Sequence, residues 1–264
     1  MLSTVRIGAG TRVLLTGASR GIGESLARAL AGRGCEIGLV ARSEAQLSEL
    51  AGSLPGSGHR ALPADVSDRD EVARAIESFG RIELLVANAG VAHYGPYTEL
   101  DAEAEERMTR VNWLGTLHTV RAALPDMLER RHGHLVIVSS GAALRTFPQA
   151  AVYGATKAAQ RGFSEALRHE LDGTGVSLTT VYPGEIRSHL HDHEKDRMPP
   201  WYRSSDAADP DELAAKVVEG VEADRRGVYF PPIVRLLRIV HGLSPRAGDL
   251  LLRTLRGRSA APRS

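Results

Sequence analysis

Tyr153 and Lys157 stand four residues apart in AAVYGATKAAQRGF, a stretch whose spacing predicts a helix, so both side chains project from one face. A free phenol has a pKa of about 10 and is a poor acid–base group near neutrality. A neighbouring ammonium favours the phenolate, which brings the tyrosine into use as a proton donor and acceptor. Ser140 lies thirteen residues before Tyr153, at the end of Leu135 to Ser139, a run that predicts a strand. Strand ends are where an open α/β sheet presents side chains to a ligand. Ser139 is a second hydroxyl at the same place, and either serine could simply bond local backbone. Asn112, within RVNWLG, adds a carboxamide to a helical stretch, where it suits irregular backbone.

A second constellation lies near the start of the chain. LLTGASRGIGESLARAL, residues 14–30, joins an apolar run to an apolar-periodic stretch through three glycines. A strand ending at Thr16 and a helix beginning near Gly21 leave a tight turn. Its glycines let backbone N–H groups approach a phosphate at the positive end of the helix, which implies a dinucleotide. The spacing Gly17-x-x-x-Gly21-x-Gly23 differs from G-x-G-x-x-G. A site that reads an unmodified ribose usually carries Asp or Glu about twenty residues beyond such a turn. Here the second strand ends LVARS, with Ala41 at that place, Arg42 after it and Arg20 in the turn itself. Two guanidiniums without an opposing carboxylate suit a 2′-phosphate, so NADP(H) is expected over NAD(H).

These groups need a frame, and the rest of the chain supplies one. Short β-branched and Leu-rich runs at 12–16, 36–41, 60–64, 84–87, 135–139 and 177–182 alternate with helical patterns near 21–32, 44–53, 68–79, 101–131, 150–172 and 210–225. That alternation predicts an α/β fold, a Rossmann-like doubly wound parallel sheet in one domain. Ser67 or Asp68, and Asp209, are placed as N-caps. With 264 residues and 42% hydrophobic content the chain can bury a sizeable core. Its net charge of +1 gives no general pull toward nucleic acid. The lone Cys35 sits in an apolar run and reads as a buried thiol. The N-terminus lacks a signal-peptide pattern and no run reaches the ~18 apolar residues of a spanning helix, so a cytoplasmic protein is expected.

The two ends of the charge distribution differ. Residues 225–264 hold nine Arg and one Asp, which leaves the remainder at a formal −7. Within this tail Ile233, Leu236, Leu237 and Val240 fall at helical spacing, and Leu250 to Leu252 with Leu255 form a second apolar cluster followed by Arg256 and Arg258. Such a segment packs on its own body, joins a second subunit, or rests on an anionic membrane at the inner surface. The stretch 188–209 reads as a long loop and so as a functional one. Its Trp201 and Tyr202 either line an apolar pocket or pack a lid. His189, His191 and His193 alternate there without a complete metal-ligand pattern, so no metal is expected.

TGASRGIG at 16–23, Asp65-Val66, Asn88-Ala89-Gly90, Asn112, Ser140, Tyr153-x-x-x-Lys157 and Pro183-Gly184 appear in one order. In that order and spacing the chain resembles the classical short-chain dehydrogenases/reductases over roughly residues 10–230. The resemblance implies a Rossmann-like catalytic domain over 1–230, a basic extension over 231–264, a nicotinamide cofactor, and reversible hydride transfer to a carbonyl. It selects Ser140 over Ser139 by the thirteen-residue offset, gives it the hydrogen bond that orients the substrate oxygen, and gives Asn112 a water that connects Lys157 to solvent. An oxidised nicotinamide would further favour the Tyr153 phenolate. The implied cofactor contacts are Gly17, Ser19, Arg20, Gly21, Ile22 and Gly23 in the turn, and Arg42 after the second strand. Asp65 and Val66 would meet the adenine, and Asn88, Ala89 and Gly90 the ribose beneath it. Tyr153, Lys157, Pro183, Gly184, Ile186 and Ser188 complete the set, Ser188 standing where the family usually has Thr.

Together these features predict an NADP-dependent oxidoreductase that interconverts a ketone and a secondary alcohol in a small-molecule substrate, with a hydrophobic or lipid-like one expected from the tail. A homo-oligomer, dimer or tetramer, is implied for its assembly. A related epimerase or dehydratase, or a non-catalytic NADP-binding regulatory or membrane scaffold, is the alternative. Binding alone, however, does not require a proton donor.

Overall fold

The computed structural model describes residues 5–187, 207–250 and Thr254. Seven strands form one parallel sheet in the order β3-β2-β1-β4-β5-β6-β7. They are β1 (Arg12–Thr16), β2 (Glu36–Ala41), β3 (Arg60–Pro63), β4 (Leu84–Ala87), β5 (Gly133–Val138), β6 (Val176–Pro183) and β7 (Gly227–Phe230). Their β-branched and leucine side chains are buried on both faces, as a sheet covered by crossover helices requires. β5 begins two residues before the expected run and stops at Val138, so both Ser139 and Ser140 lie just past its end. β7 is an additional strand: GVYF is only four residues long and alternates half-buried with buried.

Two layers of helices flank the sheet. α1 (Gly21–Ala31), α2 (Glu44–Ser53) and α7 (Pro210–Glu222) bring Leu26, Leu30, Leu47, Leu213 and Val217 to one face. α3 (Arg69–Phe79), α5 (Gly115–Glu129) and α6 (Ala151–Glu170) bring Val72, Ile76, Val120, Met127 and Leu167 to the other. Asp68 caps α3 by accepting from the N–H groups of Asp70 and Glu71, both at 2.9 Å, and Asp209 caps α7 through Asp211 N–H at 2.8 Å. Ser67 does not cap: its hydroxyl donates to Asp65 at 2.7 Å. Cys35 is buried, and desolvation pushes its thiol up to about 11.

The single helix expected over 101–131 is three pieces: α4 (Ala102–Met108), a π-helical stretch (Thr109–Leu114) and α5. Widening the turn carries Asn112 inward, where its Nδ2 donates to Val91 O at 2.9 Å and Thr156 Oγ1 at 3.0 Å and its Oδ1 accepts from Val91 N–H at 2.8 Å. Such π-bulges recur at functional sites.

Among the described residues of the tail, α8 (Pro232–Leu243) is helical as the spacing predicts, and a further helical segment follows at 245–250. The residue it buries is different. Val234 is 5% exposed, whereas Ile233 and Leu236 of the expected apolar face are 38% and 47% exposed. The Leu251, Leu252, Leu255, Arg256 and Arg258 readings lie outside the described residues, as do Ser188, His189, His191, His193, Trp201 and Tyr202.

Candidate active site

The sheet order reverses between β1 and β4, and the crevice beyond their carboxyl ends is where such folds bind ligands. A cleft of about 330 Å³ opens there. It is lined by Gly17, Ser19, Arg20, Gly21, Ile22, Gly23, Arg42, Asp65, Val66, Asn88, Ala89, Gly90, Ser140, Tyr153, Lys157, Pro183, Gly184 and Ile186. Every described residue of the expected set therefore meets in one place except Asn112, which stands fully buried behind it.

The glycine turn is held from below. Thr16 ends β1 with its Oγ1 accepting from the N–H groups of Asn88 and Ala89 at 3.0 and 3.2 Å, and Asn88 Nδ2 donates to Thr16 O and Gly17 O at 3.0 and 3.1 Å. Gly17 has φ +66°, a conformation that side chains rarely adopt, and a β-carbon there would stand 2.7 Å from Ala89 Cα. A β-carbon on Gly23 would stand 2.0 Å from Gly17 O, so α1 can approach the turn only with glycine at that place. In a free helix Gly→Ala stabilises by about 1 kcal/mol. Gly23→Ala is expected to do the opposite, with overpacking costing about 1–3 kcal/mol, and to weaken dinucleotide binding; thermal unfolding with and without cofactor reads both.

At the end of the cleft expected to take the adenine, Arg20 and Arg42 are exposed at the rim, and neither forms an ion pair among the described residues. Ala41 brings no carboxylate. Ser43, Gln46, Arg107 and Val111 also line this region and were not singled out from sequence. Ser43 had a readable signal: it N-caps α2 by accepting from Gln46 N–H at 3.4 Å, the first half of an S-x-x-Q capping pattern. Asp65, the one acid lining the cleft among the described residues, accepts from Ser67 N–H at 2.9 Å.

On the other side the catalytic-type groups converge. Ser139 is spent on structure: its hydroxyl donates to Lys157 O at 2.9 Å. The Ser140 hydroxyl accepts from Ala142 N–H at 3.1 Å and lines the same cleft as Tyr153. Tyr153 is 6% exposed, with its ring edge-on to Tyr94 at 5.9 Å, and Tyr94 in turn stacks on Phe147 at 6.0 Å. Lys157 Nζ donates to Val138 O at 3.1 Å and lies 5.8 Å from the centre of the Tyr153 ring. Burial pushes the Tyr153 hydroxyl up, partly offset by Ser140, and pushes the Lys157 ammonium down to about 7. Burial holds Tyr153 protonated, the form that donates. The point where a Gly90 β-carbon would stand is 3.3 Å from Asn112 Oδ1 and 3.5 Å from Lys157 Nζ, so the missing methyl leaves room between those two polar atoms. Among the described residues no three His, Cys, Asp or Glu side chains come together as a metal site.

A family model for short chain dehydrogenases matches residues 11–199. The chain belongs to the short-chain dehydrogenase/reductase family. Within it, an uncharacterized oxidoreductase of Listeria innocua is 36% identical over 186 residues, which are 67% of this chain and 75% of that one. A Burkholderia phymatum short-chain dehydrogenase/reductase solved with NAD superposes with a TM-score of 0.82 at 25% identity, covering 92% of this chain and 96% of that one. A Burkholderia cenocepacia short chain dehydrogenase solved with NADP superposes with a TM-score of 0.79 at 26% identity, covering 98% and 100%. Short-chain dehydrogenases/reductases are nicotinamide-dependent oxidoreductases, and the two solved relatives hold different cofactors. The residues at the rim of this chain's own cleft must carry any preference between them.

Proposed function

We propose that this short-chain dehydrogenase/reductase uses NADP(H) to interconvert an apolar ketone and a secondary alcohol. The observation that carries the reading is the convergence of Ser140, Tyr153 and Lys157 on one cleft at the carboxyl end of β5, with Lys157 one helical turn from the tyrosine. When bound, the cofactor supplies the hydride that adds to the carbonyl carbon. The chain's own residues supply position and a proton. Ser140 donates a hydrogen bond to the carbonyl oxygen and aligns it with Tyr153. As negative charge builds on that oxygen, the Tyr153 hydroxyl gives it a proton, so the alcohol leaves neutral and the charge passes to the phenolate. Lys157 would hold a cofactor ribose hydroxyl and, while charged, would stabilise that phenolate. Asn112 and the space beside Gly90 fit a water that returns a proton through Lys157.

The residues present fit a 2′-phosphate. Arg20 and Arg42 flank the adenine end, and Ala41 leaves out the carboxylate that would repel it. Kinetics with NADPH and NADH on a panel of apolar ketones test the reading. NADPH is expected to give the higher kcat/KM, and Ala41→Asp combined with Arg42→Ala to move the preference toward NADH by repelling the phosphate and accepting from the free ribose hydroxyl. A wild-type enzyme that already prefers NADH contradicts the cofactor assignment. Tight NADPH binding with no turnover of any carbonyl contradicts the enzymatic one.

A further inference from the structure

α8 is held to the body by a narrow inner side. Val234 packs into the space left by Gly141 and Gly184, within 3.4 and 3.0 Å of where their β-carbons would stand. The Arg238 guanidinium lies over Tyr229 at 5.1 Å, and Tyr229 stacks on Tyr182 at 4.9 Å. An Arg145–Asp249 ion pair at 2.6 Å ties the next helical segment to the turn that follows Ser140. These contacts fix the helix beside the substrate end of the cleft, which Gly184 lines.

The outer side has no cover from the described body. Ile233, Leu236, Ile239 and Leu243 are 38%, 47%, 50% and 84% exposed. Their spacings of three, three and four residues place them on one stripe of the helix. Arg235 and Arg246 are exposed in the same segment, and Asp249, the one acid after residue 224, is already paired with Arg145.

We propose that this face docks on an anionic lipid surface, the apolar stripe entering the interface and the arginines meeting headgroups. Charge chooses the occupant. From residue 232 onward the sequence holds seven Arg and one Asp, so two copies joined face to face would set arginines against arginines with no free acid to receive them. Anionic headgroups neutralise the same charges while the stripe is buried. Docked this way, the enzyme holds the substrate end of its cleft near the lipid phase, where an apolar ketone would partition. The docking does not depend on which cofactor is used.

The test sediments the full-length protein with phosphatidylcholine vesicles, with or without phosphatidylglycerol, at low and high salt. Binding is expected only with phosphatidylglycerol and is expected to weaken with salt. Arg235→Glu should weaken it about 25-fold, since each charge near such a surface is worth about a factor of five and the substitution changes the charge by two. Leu236→Ser with Leu243→Ser should also weaken it while leaving NADPH-dependent turnover in solution unchanged, because both side chains face away from the cleft. Failure of the wild-type protein to sediment with anionic vesicles overturns the proposal. So does light scattering that shows a wild-type dimer dissociated by the leucine pair, which would give the face to a second copy.

Discussion

Tyr153→Phe is expected to lower kcat by 10²- to 10⁴-fold, the range that positioned proton transfer supplies, and to leave NADPH affinity nearly unchanged. The substitution removes one oxygen. The ring remains, and so does its edge contact with Tyr94, because neither depends on the hydroxyl. What is lost is a buried hydroxyl that lines the cleft with Ser140 and stays protonated near neutrality. Stopped-flow turnover together with fluorescence titration of NADPH separates the two quantities. A variant that keeps near wild-type kcat removes Tyr153 from the proton-donor role. One that loses NADPH affinity in parallel makes the tyrosine a binding residue instead.

Lys157→Met should behave differently, losing rate and cofactor affinity together, by roughly 10- to 100-fold in kcat/KM for NADPH, as expected for a lost charge-assisted hydrogen bond. The same lysine sets a pH dependence whose direction follows from its environment. Burial disfavours the ammonium and brings its pKa down to about 7, so below that pH the group is charged and above it the charge is lost. Tyr153 is pushed the other way and stays protonated across this range. The free enzyme's kcat/KM for NADPH should therefore show an alkaline limb that begins near pH 7, and Lys157→Met should lack it. A limb that persists unchanged in the variant assigns it to another group.

Most of the frame was legible because the signals are local. β1 to α1 announces itself by an apolar run, glycines and a period of about 3.6, and Asp68 and Asp209 cap their helices through neighbours two and three residues away. The site set was legible through its order, since each motif marks the end of a strand or one face of a helix that the topology brings to the same edge. What could not be read depends on distant partners. Nothing within RVNWLG forces a π turn; it forms because Asn112 finds Val91 and Thr156, 21 and 44 residues away. Ser139 and Ser140 are equivalent by composition and are parted by the Lys157 carbonyl, which takes one of them. In α8 apolar residues fall around most of the helix, so periodicity gave a face but not the one that packs. Gly141 and Gly184, far away in sequence, decide it by leaving room for Val234. The Tyr153–Lys157 pair is legible from its spacing, whereas the burial that pushes the phenol up and the ammonium down is absent from a sequence.

Hydride transfer from NADPH to a ketone, with Tyr153 as the proton donor, leaves its mark in the product. It is tested most directly by supplying cofactor deuterated at the transferable C4 position with a panel of apolar ketones and examining the products by mass spectrometry. One deuterium is expected on the carbinol carbon of a secondary alcohol, formed by the wild-type enzyme and lost to background with Tyr153→Phe. Alcohol formed without deuterium, or labelled alcohol formed equally well by the phenylalanine variant, would contradict it.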